Sequence, residues 1–202
     1  MKVMSPRVRA VAAFVLAGLA CGAGAFAQDV QWVRQGTGTP GSFNFGTAIA
    51  SDTFGNSYLT GGIGGAVTFA TGVSLTPSPN GDGFVAKYNA VGDLKWVKQI
   101  GGLGEQFGRA IVVDAQGNSY VAGGYCGQVI FAPGEANATT LNGINCSSFS
   151  RYDTFVAKYD SAGAFLWVVS ATASGGIGTN PEIVVGGIGL DVSGNIYIDG
   201  WY

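Results

Sequence analysis

The residues best placed to do chemistry in this chain are carboxylates beside amides and glycines. The stretch DAQGNSY, from Asp114 to Tyr120, is the clearest case. Oxygen ligands packed this closely could hold a calcium ion. A calcium loop of the helix–loop–helix type needs oxygens at its first, third and fifth positions, glycine at the sixth and a carboxylate at the twelfth. Counted from Asp114 those places hold Gln116, Asn118, Ser119 and Tyr125, so the glycine is misplaced and the closing carboxylate is absent. The sister stretches offer Phe54 or Ser193 at the third place, which is worse. The expectation is a structural turn and no metal.

Other site chemistry is constrained by what the chain lacks. It contains no histidine. A Ser-His-Asp triad and most zinc sites are therefore excluded from this sequence. The remaining acids are scattered singly, and no catalytic or cofactor-binding residue is assigned. Asp82 and Asp153 share a place before FVAKY and read as strand-entry residues. Lys87 and Lys158 lie within FVAKY, where a lysine between packed sheets runs to the edge or meets an acid. Cys126 and Cys146 are the cysteines beyond the N-terminal leader, and an even count in an exported chain predicts a disulfide. Cys146 lies in a segment of the second repeat, 131–155, that is longer than its counterpart 69–84. Closing a loop of about 20 residues contributes on the order of 3 kcal/mol in the chain-entropy model.

The elements that position these residues come from repeats. FGTAIASDTFGNSYLTGG (45–62) returns as FGRAIVVDAQGNSYVAGG (107–124) and, more weakly, as GGIGLDVSGNIYIDG (186–200). DGFVAKYNAVGDLKW (82–96) returns as DTFVAKYDSAGAFLW (153–167). Trp32, Trp96 and Trp167 mark one position, whereas Trp201 aligns with Gly62 and Gly124. Each repeat predicts two hairpins, and each hairpin turns on [DN]xxG. The turns are Asp52–Gly55, Asn89–Gly92, Asp114–Gly117, Asp160–Gly163 and Asp191–Gly194. The Asp or Asn accepts hydrogen bonds from backbone N–H groups in the turn, and the glycine takes positive φ to return the strand.

Strands such as AIVV, FVAKY and FLWVV are apolar on both faces. A sheet with one wet face would alternate. Burial on both faces fits four-stranded antiparallel sheets stacked as blades around an axis. The fold expected is all-β, with two full repeats and a partial third. Their bounds are about 28–96, 96–167 and 167–202. The strand VQWVRQG at the start has no hairpin before it, and in a closed ring such a strand completes the last blade. Because four or more blades close a ring, the chain is expected to be the N-terminal part of a longer protein, with self-association as the other way to supply blades.

The first 27 residues read as a signal peptide. MKVMSPRVR is basic, AVAAFVLAGLA is apolar, and Ala25 and Ala27 are the small residues before a cut after Ala27. The apolar run is shorter than the ~20 residues of a membrane span. A lipid anchor at Cys21 is a rival, although Gly18 stands where such sites carry leucine. The mature chain is expected to be secreted, periplasmic or at the outer cell surface, without a membrane span. Its formal net charge of −2 becomes more negative once Lys2, Arg7 and Arg9 leave, which argues against nucleic acid. Only 11% of residues are charged while Gly numbers 35, a balance that suits turn-rich β-structure better than helices.

The pattern W…FG.AI..D..GN.Y..GG…F…DGFVAKY…G…W resembles the bacterial SBBP β-propeller repeat family across the mature chain. The resemblance implies a secreted or cell-surface propeller, and the function expected first is a non-enzymatic module that binds or scaffolds a protein or glycan at the bacterial surface. The alternative is the first part of a propeller enzyme, quinoprotein-like or polysaccharide-active, with its active site in further blades. KYDSAGAFLW is similar to the tryptophan-docking motif of quinoprotein propellers, but its glycine comes one residue too early. The loops NATTLNG (137–143) and SSFSRYD (147–153) are the sequence candidates for a sugar contact.

Overall fold

The computed structural model describes residues 31–146, 152–172 and 184–201. The expected leader with Cys21, and residues 147–151 of the SSFSRYD loop, lie outside them. Every regular element among the described residues is a strand. A short β1 (Thr37–Gly38) precedes the hairpin of β2 (Asn44–Ser51) and β3 (Ser57–Ile63). An inserted hairpin, β4 (Val67–Ala70) and β5 (Val73–Leu75), leads to β6 (Asp82–Tyr88) and β7 (Leu94–Gly102). The second unit repeats this plan with β8 (Gln106–Val113), β9 (Ser119–Tyr125), the inserted β10 (Gln128–Phe131) and β11 (Thr139–Asn142), then β12 (Asp153–Tyr159) and β13 (Phe165–Ala171). A last hairpin joins β14 (Val184–Leu190) to β15 (Ile196–Trp201).

Antiparallel ladders run β7-β6-β3-β2 in one sheet and β13-β12-β9-β8 in the next, with β14-β15 beginning a third. The two four-stranded units share register: Tyr58 faces Lys87 across the ladder as Tyr120 faces Lys158. Up-and-down order places all the [DN]xxG turns at one end of the sheets. The insertions and the links between sheets fall at the other. One departure from independent four-stranded units is that β10 pairs with β7 of the preceding sheet through Val129 and Ile130. The first sheet thereby becomes six-stranded. β4 meets β1 in the same way through Val67 and Thr68. The segment 31–36, read as strand from VQWVRQG, carries no ladder, and only Thr37–Gly38 is paired. A strand needs a neighbour for its N–H and C=O groups, and β4 supplies one only at that end.

Alternate side chains then decide the core. Phe155, Ala157 and Tyr159 face the first sheet, where they join Tyr58, Val85 and Ile100 in one buried cluster. Their counterparts Phe84, Ala86 and Tyr88 line the opposite face of the first sheet with Ile63 and Phe69. Val156 points the other way, with Ala110, Ala122 and Val185. Both faces of a sheet are thus buried, which is why its strands read as unbroken apolar runs.

Close packing from neighbouring strands of the same sheet leaves glycine as the residue that fits at two places in β3 and in β9. A β-carbon on Gly123 would lie 2.1 Å from the Phe107 carbonyl oxygen and 2.7 Å from the Phe155 ring. Gly124 carries the Phe107 ring on its own face, at 2.8 Å from the same imagined carbon. We expect Gly123→Ala to lower stability by about 1–3 kcal/mol, the usual range for overpacking a filled core. Urea unfolding of the two proteins checks this, and an unchanged midpoint would show that the sheet yields.

Candidate functional site

The turn end of the sheets holds most of the residues that looked chemical. Asp114 Oδ1 accepts hydrogen bonds from the N–H groups of Gln116 at 3.0 Å and Asn118 at 2.9 Å. Its Oδ2 accepts from Asn118 Nδ2 at 2.8 Å and from the Tyr120 hydroxyl at 3.1 Å. Asp52 repeats the set with Phe54, Asn56 and Tyr58, and Asp191 with Ser193, Asn195 and Tyr197. In the second hairpins Asn89 accepts from Val91 and Asp93 N–H, and Asp160 from Ala162 and Ala164 N–H. The glycines at the ends of these turns, Gly55, Gly92, Gly117, Gly163 and Gly194, all have φ between 78° and 87°. Every letter of DxxGNxY is accounted for: the acid, its two amide partners, the glycine and the tyrosine.

These bonds set the electrostatics. Burial pushes the Asp114 carboxyl up, but hydrogen bonds from Asn118, Tyr120 and Gln116 outweigh it and hold the group below its usual 3.8. Asp52 is lowered in the same way, burial being outweighed by Asn56, Phe54 and Tyr58. At Asp191 the hydrogen bonds from Asn195 lead, and its carboxyl is also lowered. Burial, followed by the Asp52 charge, pushes the Tyr58 hydroxyl above its usual value, so it remains a donor.

Tyr58 also reaches the next unit: its single hydroxyl proton is shared between Asp52 Oδ2 at 3.2 Å and the Gly117 carbonyl at 2.9 Å. Beside it, Lys87 Nζ sits 4.9 Å from the Tyr58 ring centroid and donates to the Ser161 carbonyl at 3.0 Å. Lys87 is 9% exposed. Its partner is a main-chain oxygen of the next sheet, where the sequence pointed to the edge or to an acid. Trp96 Nε1 donates to the same Ser161 oxygen at 3.2 Å, and its indole lies over Gly163. Trp32 treats Ala90 and Gly92 alike, with Nε1 donating at 3.0 Å. Trp167 packs edge-on against Tyr120 of its own sheet.

The loop end is built differently. Asp82 and Asp153 open β6 and β12 and are 2% and 0% exposed. Asp82 accepts from Ser78 Oγ at 2.6 Å and from Gln99 Nε2, tying the first insertion to β7. Asp153 accepts from Ile144 N–H at 2.9 Å in the second insertion. Cys126 and Cys146 are disulfide-bonded with Cα atoms 5.2 Å apart, and Cys126 N–H donates to Glu105 in the link between sheets. Asn137 of NATTLNG donates its side chain to the Phe165 carbonyl, and Thr139–Asn142 form β11.

Between the end of the first insertion and the link into β8 lies a cleft of about 330 Å³. Its walls include Ser42, Phe43, Asn80, Glu105, Gln106 and Phe107. Phe43 is 87% exposed. Glu105 accepts from the Tyr152 hydroxyl at 2.7 Å. This site was hard to read in the sequence, because Ser42, Phe43, Asn80 and Glu105 come from segments outside the repeated motifs. A stretch such as Gly41–Phe43, which has no matching copy, was the one available signal.

Stacked antiparallel sheets, linked by a repeated turn and a repeated tryptophan, define a β-propeller type of repeat protein. Residues 95–123 match the SBBP family model, a β-propeller repeat. The chain therefore carries the SBBP repeat. The match spans β7, the link, β8 and most of β9. It thus covers the joint between sheets together with Trp96, Asp114 and Gly117. No curated protein matches the chain.

Two expectations follow for the turn. Gly117 has φ 79°, and a β-carbon there would sit 3.1 Å from the Tyr58 hydroxyl. Gly117→Val should lower Tm by several degrees, whereas calcium at millimolar concentration should leave the wild-type Tm unchanged; a rise of several degrees with calcium would overturn the turn reading. The acids give a pH dependence. Their folded pKa values lie below the ordinary one, so they add stability above about pH 4 and lose it as pH falls through the depressed values. Thermal melts between about pH 5 and pH 2 should show this loss. Asp114→Asn should be less stable at neutral pH and fall less steeply in acid.

Proposed function

We propose that the protein is exported and works at a bacterial cell surface as a non-enzymatic binding module, with the loop-end cleft as its ligand site. The observation that carries this reading is the composition of the cleft. An exposed aromatic ring at Phe43 shares the cleft wall with the Glu105 carboxylate, the Asn80 amide and the Ser42 hydroxyl. A ring face packs on the C–H face of a sugar, while carboxylate and amide groups hold its hydroxyls. A glycan is therefore the ligand class we favour. Convergent polar groups beside an apolar wall are the usual make-up of small-ligand sites.

Export is supported by the basic and apolar leader ending in AFA and by the Cys126–Cys146 bond, since disulfides persist in oxidising compartments. Among the described residues no helix is long and apolar enough to cross a membrane. A scaffold role fits a chain whose carboxylates at the turn end are committed to hydrogen bonds within the turns.

The test is a screen of the purified protein on immobilised bacterial polysaccharides, followed by titration of any hit. Phe43→Ala removes an exposed ring, so Tm should hold while affinity falls about tenfold, the equivalent of 1.4 kcal/mol. Binding that survives both Phe43→Ala and Glu105→Gln would place the ligand elsewhere. Turnover of a bound polysaccharide would favour the enzyme reading.

A further inference from the structure

The contact between sheets is made in full at Trp96 and by the tryptophan alone at Trp32, and the parts of the full constellation are present again in the second sheet. Trp96 and Lys87 both donate to the carbonyl of Ser161, the second residue of the Asp160–Gly163 turn. Trp32 donates to the carbonyl of Ala90, the second residue of the Asn89–Gly92 turn. In both cases the fourth-position glycine lies under the indole, where a β-carbon would come within 2.7 Å of the ring. In the second sheet Lys158 Nζ stands 4.7 Å from the Tyr120 ring centroid, as Lys87 stands to Tyr58. Trp167 meets Tyr120 at 6.1 Å and 62°, as Trp96 meets Tyr58 at 6.0 Å and 69°. A cavity of about 660 Å³ opens beside Tyr120 and Lys158, between the Asp114 and Asp191 turns.

We propose that Tyr120, Lys158 and Trp167 form a docking site for a β-hairpin whose turn has the form [Asp/Asn]-x-x-Gly. The turn's second carbonyl goes to Lys158 Nζ and Trp167 Nε1, and its glycine lies on the Trp167 indole. The hairpin's first strand adds to the outer edge of β15, as β6 adds to β3 and β12 to β9. This is strand addition with a pocket for the turn.

The chemistry selects this occupant. The half-buried Lys158 ammonium over the Tyr120 ring is placed to meet an acceptor, and the carboxylates of Asp114 and Asp191 in the same cavity wall disfavour an anionic one. A main-chain carbonyl is neutral and fits. The indole face takes a residue without a β-carbon. A second copy of this chain is the rival occupant, but its two second-hairpin turns, Asn89–Gly92 and Asp160–Gly163, are already covered, one by Trp32 and one by Trp96. The hairpin therefore comes from a further repeat of the same type. This inference is independent of the glycan reading, which concerns the other end of the sheets.

The test titrates the full chain with a cyclised peptide of residues 153–171, its fold checked by NMR, and reads binding by calorimetry. Saturable binding is expected. Lys158→Met should weaken it about tenfold, since it removes a hydrogen bond from a charged donor. Trp167→Ala and a peptide bearing Gly163→Val should weaken it at least as much. Melting curves show that each protein variant is folded. Three results would each overturn the proposal. One is no binding heat from a folded peptide at millimolar concentration. Another is equal affinity for the Gly163→Val peptide and for Lys158→Met protein. The last is self-association of the chain alone that Trp167→Ala abolishes.

Discussion

A carboxylate has about four lone-pair sites to satisfy, and at Asp114 all of them meet donors from the following six residues. That saturation is the constraint on which the stack depends. It fixes the first-hairpin turn, and the turn fixes where the Tyr120 hydroxyl points. In the preceding unit the same geometry aims Tyr58 past its own Asp52 to the Gly117 carbonyl of the next sheet. A local turn is thereby converted into a contact between sheets. Since one tyrosine serves both, loss of the turn would also loosen the stack.

The second link obeys similar logic with different groups. Trp96 lies between Tyr58 of its own sheet and Tyr159 of the next, with centroids 6.0 Å and 6.4 Å away. Its N–H and the Lys87 ammonium converge on one carbonyl. Removing two polar groups from water is costly unless they are bonded, so this convergence restricts how the next hairpin can sit. Glycine at Gly163 lets the indole approach, and the same arrangement at Trp32 and Gly92 shows it is a rule of the repeat. The inter-sheet geometry is thus written in side chains at least as much as in the apolar core.

How much of this could be read in the sequence depended on range. The hairpins and their turns were legible because Asp, Gly and the strand pattern act within a few residues. Burial of both faces was legible because Val85 and Phe84 are both apolar. The partner of Lys87 was not, because Ser161 lies in the next repeat and contributes only its backbone. Tyr58 was unassigned for the same reason. The pairing of β10 with β7 was also hidden, since an insertion can join any nearby edge. The segment 31–36 looked like strand by composition, yet strand formation requires a neighbour that composition does not specify.

The loop-end cleft was the least legible feature, and the fold explains why. At the turn end each acid is bound by its own repeat, so copies must resemble one another. At the loop end the insertions meet only a neighbouring edge or link, and they differ: the second carries Cys126–Cys146 and the first is held by Ser78 and Gln99 on Asp82. Freed from the repeat's own hydrogen-bond demands, these segments can vary in length and chemistry without disturbing the sheets. A repeat scaffold of this kind keeps its geometry at one end and leaves the loop sequences free to change at the other. The positions that look most like a site in the sequence, the DxxGNxY acids, are therefore the ones whose chemistry the fold has already used.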